Sequence, residues 1–147
     1  MGEDIPNLAD NSYLSDVDRR TLSEDVAYRQ EILERHPTVF IRPDDRTAAA
    51  RPLYVHADEQ GVSYLGLVTE HGSHSARKPP VHAEPRIRIR IMSREPKIIA
   101  EITKEEFANA YTSIYDQESA IVWLEQKYPN RKFSGTSTVT VYRVQYE

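Results

Sequence analysis

Cysteine is absent from this 147-residue chain, which excludes disulfides, thiolate metal sites and thiol nucleophiles. Glycine occurs only five times. No GxGxxG or GxxxxGK phosphate loop can be written from so few. The GxxG turn of KH domains and the GxSxG nucleophile elbow are missing as well. The longest apolar run, AIVWL at 120–124, is five residues, against about 18 for a membrane-spanning helix. No membrane partner is therefore expected. The start, MGEDIPNLAD, is acidic and polar rather than a secretion signal. A cysteine-free chain of this kind suits a cytoplasmic location.

Charge is plentiful but unevenly spread. The net charge of −4 divides into −5 over residues 1–36, +3 over 37–100 and −2 over 101–147. Between 77 and 97 there are seven basic residues against two acidic ones, and arginine outnumbers lysine 14 to 5 along the chain. An acidic beginning and a basic middle can satisfy each other, or the middle can face an anionic partner.

The pattern predicts one α+β domain over 21–147, preceded by an extended acidic arm over 1–20. The arm has only Ile5, Leu8, Tyr13, Leu14 and Val17 as possible anchors. TLSEDVAYRQEILERHP predicts a helix from Thr21, with Glu24 at capping-box spacing and Pro37 as the stop. TVFIRP predicts a strand. PLYVHA and VSYLGLVTEH, separated by DEQG, predict a hairpin. Three prolines and no period make 72–85 a long irregular loop. RIRIRIM alternates strictly and predicts a strand; EPK should then turn the chain into a further strand, IIAEI.

Thr103 and Glu106 have capping-box spacing before TKEEFANAYTSIY, a helix whose stripe of Phe107, Tyr111, Ile114 and Tyr115 should be core. Asp116 is placed to cap a third helix running to about Tyr128, with Ile121, Leu124 and Tyr128 inward. Trp123 falls off that face and reads as either a docking spot or one side of a broad apolar stripe. TSTVTVYRVQYE closes the chain as a strand. The expected fold is a largely antiparallel sheet of about five or six strands with three helices.

Functional residues follow from the alternating strand. Ile87, Ile89 and Ile91 go to the core, and Arg86, Arg88 and Arg90 form a row about 6.6–6.8 Å apart. With Arg77, Lys78, Arg94 and Lys97 they make one candidate basic surface. Such a row meets cross-strand Asp or Glu, a protein partner, or the phosphates of an extended nucleic-acid strand. Tyr54, Tyr64, Tyr142 and Tyr146 are candidate stacking platforms for bases.

His71, His74 and His82, with Glu70 and Glu84, have ligand chemistry for zinc. They sit in a Gly- and Pro-rich loop without an HExxH motif, so no metal or other cofactor is expected. The expectation is a non-enzymatic binding protein, a subunit or accessory factor of a larger complex. Its contacts would be the arm, the 70–85 loop and the basic strand. A protein partner or self-association ranks first, a nucleic-acid-binding module second, and a His-loop metal hydrolase third.

Overall fold

The computed structural model describes residues 13–47, 63–73 and 75–147. The turn of the expected hairpin, Tyr54, His74 and most of the arm lie outside these residues. The elements run α1 (Asp16–Arg19), β1 (Thr21–Asp25), a 3-10 turn (Val26–Tyr28), α2 (Arg29–Arg35), β2 (Val39–Pro43), β3 (Ser63–Glu70) and β4 (Val81–His82). They continue with β5 (Ile87–Ile98), a second 3-10 turn (Ile99–Glu101), α3 (Lys104–Ala108), α4 (Gln117–Lys127) and β6 (Thr138–Tyr146). The sheet order is β1-β3-β5-β6-β2, with β4 alongside β3. Among the described strands only the β1–β3 pair is parallel. The mixed α+β architecture and largely antiparallel sheet are as the sequence predicts, with four helices among the described residues in place of three.

Locally plausible signals lost to tertiary ones in several places. Thr21 does not cap a helix: residues 21–25 are a strand, and the helix begins only at Arg29. Strand alternation sends Leu22 and Glu24 inward together, and both are buried. Val26 and Leu33, which a helix from Thr21 would place on one face with Leu22, are exposed. Burial across β3 outweighs a weak local preference. At the other end, His36 takes the left-handed conformation and its N–H closes on Ile32 O before Pro37. Part of the expected arm, Asp16–Arg19, is a single helical turn capped by Ser15.

EPK does not turn the chain. β5 runs unbroken for 12 residues from Ile87 to Ile98, and IAE is a 3-10 turn rather than a strand. Pro96 is tolerated because odd-numbered residues address β6 along this stretch, as the Ile99 N–H bond to Ser137 O shows, so the missing N–H of Pro96 takes nothing from the β5–β6 ladder. The supposedly irregular 72–85 segment holds β4, which pairs with Val68 and Glu70.

The capping box at Thr103 and Glu106 forms as expected, but the helix ends at Ala108 and leaves Tyr115 exposed. Asp116 caps α4. Trp123 is core, its ring tilted against Tyr28 and Tyr111 at centroid distances of 6.2 and 6.1 Å, so it is one side of a broad apolar stripe and not an exposed docking spot. The middle of β6 is buried on both faces, Val139 and Val141 on one and Thr140 and Tyr142 on the other.

Glu106 does more than cap. Its carboxylate is fully buried and also takes Lys97 Nζ at 3.0 Å and Arg143 at 3.0 Å. Burial opposes its charge, but the Thr103 N–H, Lys97 and Arg143 outweigh burial and hold it below the ordinary carboxylate range. A lowered folded-state pKa stabilises fully above the unfolded value, and the gain is lost as pH falls through the folded one. Urea unfolding of the wild type and Glu106→Gln at neutral and acid pH should show the wild-type advantage shrinking toward acid. A pH-independent gap would refute this role.

Candidate binding pocket at the edge of the sheet

Among the described residues β1 ends the sheet, and its backbone directions are fixed by its pairing. Tyr64 N–H donates to Arg20 O, so even-numbered residues address β3 and Thr21, Ser23 and Asp25 address the outer edge. Two outer groups confirm the parity. Ser23 O accepts Arg42 Nη2 at 2.7 Å, and Asp25 N–H donates to Glu24 Oε1 at 3.0 Å.

Arg42 belongs to β2, the opposite end of the sheet. The sheet therefore curls until its two ends face each other, and one guanidinium crosses the gap. Besides Ser23 O, Arg42 donates to Glu24 Oε2 at 2.9 Å and to Ile41 O at 3.0 Å. Both partners of this ion pair are buried. Lys127, the last residue of α4, donates to the other oxygen of Glu24. Its ammonium lies 5.0 Å from the Trp123 ring centroid and 5.8 Å from that of Tyr28, a cation–π setting. Trp123 Nε1 donates to Tyr28 Oη at 2.7 Å, which fixes that aromatic floor.

One carboxylate thus serves two cations. Burial opposes ionisation of Glu24, but Arg42 and Lys127 outweigh it and hold its pKa below the usual range. Burial likewise opposes the Arg42 charge, and Glu24 more than restores it. Lys127 is left less well served. Burial and the neighbouring Arg42 push its ammonium below the usual lysine range, against the pull of Glu24. Burial also keeps the Tyr111 phenol protonated.

An open pocket of about 560 Å³ lies over this cluster. All five residues of β1 line it, together with Arg42, Arg46 and Lys127. Consecutive strand residues point to opposite faces, so a cavity touching all five runs along the strand's outer edge rather than over one face. Among the described residues its charged lining is Glu24 and Asp25 against Arg42, Arg46 and Lys127, an excess of one positive charge.

The basic residues singled out in the sequence do not form one surface. Arg86 is held by Asp18 at 2.9 Å, Thr21 Oγ1 at 2.7 Å and Glu84 at 3.4 Å. Arg88 and Arg90 remain side by side, 63% and 49% exposed, with Glu147 at 3.9 and 3.6 Å. A bulge between Ile91 and Ser93 shifts the register. It puts Arg94 on the face of Ile91, opposite Arg88 and Arg90, where Arg94 donates to Arg46 O at 3.0 Å. Lys97 is engaged by Glu106 and Glu95, and Lys78 by Glu70 at 2.6 Å. Arg77 stands exposed in a left-handed turn.

Of the proposed stacking tyrosines, Tyr142 is buried and Tyr146 donates its hydroxyl to Pro37 O. His71 lines the pocket, whereas His82 is buried behind β1. Among the described residues no group of three His, Asp or Glu side chains could hold a metal.

Sequence reasoning missed Glu24, Arg42 and Lys127 because the fold alone brings them together. The available signals were an arginine within the apolar FIRP strand and a glutamate in step with Leu22. The chain matches no known family model, and no curated protein or solved structure is significantly similar to it. Among the described residues no helix is long and apolar enough to cross a membrane.

Proposed function

We propose that this chain works by binding, as a subunit or accessory factor, and that it captures an extended carboxylate-bearing segment of a protein partner along β1. The reading is carried by the pocket: an outer strand edge toward which the Ser23 N–H is turned, with Ser23 O and Asp25 N–H engaged by Arg42 and Glu24, and an excess of cations among its described lining residues. Strand addition supplies affinity through the main chain, and flanking side chains select the sequence. Lys127 is the selective element, because Glu24 is already neutralised by Arg42 and the second cation has charge to offer.

The nucleic-acid reading draws less support. Of its seven cations, Arg88 and Arg90 stay adjacent and open, and Glu147 sits beside both.

Fluorescence anisotropy with a labelled peptide alternating Val and Glu, its Val/Lys counterpart and a single-stranded RNA tests the choice. The acidic peptide should bind, and Lys127→Met should weaken it at least tenfold. Equal binding of both peptides, or no effect of Lys127→Met, would sink the proposal. RNA binding abolished by changing Arg88 and Arg90 to Ser would put nucleic acid in its place.

A further inference from the structure

Behind the pocket, Ser23 makes a second arrangement that the binding reading does not use. Its Oγ lies 2.8 Å from His82 Nε2. The imidazole reaches it by lying across β3 over Gly66, where a Cβ would come within 2.6 Å of the His82 ring. The other ring nitrogen, Nδ1, faces Asp18 Oδ1 at 3.9 Å. Both of these atoms are buried; Nδ1 has no hydrogen-bond partner, and Oδ1 is the same oxygen that Arg86 Nη2 faces. Asp18 is anchored in turn by Arg86 at 2.9 Å.

A carboxylate facing Nδ1 favours the proton there, leaving Nε2 as an acceptor and Ser23 Oγ–H as its donor. That is the polarity a general base needs toward a serine nucleophile. The distance from Nδ1 to Oδ1 is too short for an intervening water, so it closes only by a direct bond, and such contacts often tighten when substrate binds. Ser23 also lines the pocket. By the parity of β1 its backbone N–H points to the same outer edge, where an acyl oxygen could accept it.

We propose that Ser23 is an activated nucleophile that accepts an acyl group from an ester in this pocket, with His82 as its base and Asp18 as the positioning residue. Ser23 Oγ forms a bond to the carbonyl carbon while its proton passes to His82 Nε2. The ester C–O bond breaks, and the departing alkoxide takes that proton. Water then attacks the acyl-serine through the same nitrogen, releasing the acid and restoring Ser23. The proposal rests on the Ser23–His82–Asp18 geometry and not on peptide capture, so either can fail without the other.

Labelling the full chain with a fluorophosphonate tests it directly. Attack by Ser23 forms an O–P bond and expels fluoride, an adduct visible in the intact mass and located by peptide mapping. The expected result is one adduct at Ser23, absent in Ser23→Ala and formed at least 100-fold more slowly in His82→Gln, with hydrolysis of p-nitrophenyl acetate falling in parallel. Nitrogen-15 NMR should show the His82 proton on Nδ1 in the wild type and a loss of that preference in Asp18→Asn. Thermal unfolding of each variant establishes that it is folded. No adduct at Ser23 in folded protein, or an adduct rate unchanged by His82→Gln, would overturn the proposal, as would a His82 proton on Nε2.

Discussion

Replacing Arg42 by Met should lower the unfolding free energy by about 3–5 kcal/mol, the range for removing one partner of a buried ion pair. The variant keeps the apolar stem but strands the Glu24 carboxylate, which is fully buried and keeps only Lys127 as a counter-charge. It also removes the donor to Ser23 O and with it the tie between the two ends of the sheet. Urea denaturation provides the measurement. Lys127→Met is the matching control. Glu24 then retains Arg42, and the side chain removed is partly exposed, so a smaller loss is expected. Equal losses in the two variants, or a loss below about 1 kcal/mol for Arg42→Met, would show that the guanidinium is not what holds the edges together.

Gly66→Ala tests the other side of β1 and should cost about 1–3 kcal/mol, as overpacking of a tight site does. Gly66 does not have a positive φ, so the backbone would accept alanine. Space is the difficulty. The added methyl would sit 2.6 Å from both His82 Cδ2 and Thr21 Cγ2, and the buried imidazole must move. We expect the bond from Ser23 to His82 to break with it, and the His82 ring signals in an NMR spectrum to shift. Unchanged stability together with unchanged ring signals would mean that His82 does not cross β3 at this point.

How far the sequence could be read depended on whether a signal was local. The alternation of Ile89 and Ile91 with Arg88 and Arg90 needs nothing beyond a strand buried on one face, and it was legible. So were the caps at Thr103 and Asp116, each a bond between residues three apart. Thr21 with Glu24 had the same spacing and was not a cap, because Glu24 was already committed to Arg42. The order of a capping box says nothing about where its glutamate goes in three dimensions. The basic surface failed as a unit for a related reason: one extra residue near Met92 separates Arg94 from Arg88 and Arg90, and nothing in the alternation signals it. The pocket was out of reach because the cluster at its base, Glu24, Arg42 and Lys127, lies on β1, β2 and α4, with no spacing to search for.

The cluster on Glu24 also carries a consequence for the order in which the chain assembles. Arg42 is 18 residues from Glu24, and Lys127 is 103 residues away. Closing the longer loop costs roughly 1.5 kcal/mol more in chain entropy by the logarithmic law. The short segment from β1 through α2 to β2 can therefore bring Arg42 to Glu24 before the rest of the sheet exists. Lys127 reaches the same carboxylate only when α4 docks. One buried charge is thus met by its partners in sequence, the nearer one early and the farther one late. Glu24 need not wait unpaired inside a half-built core.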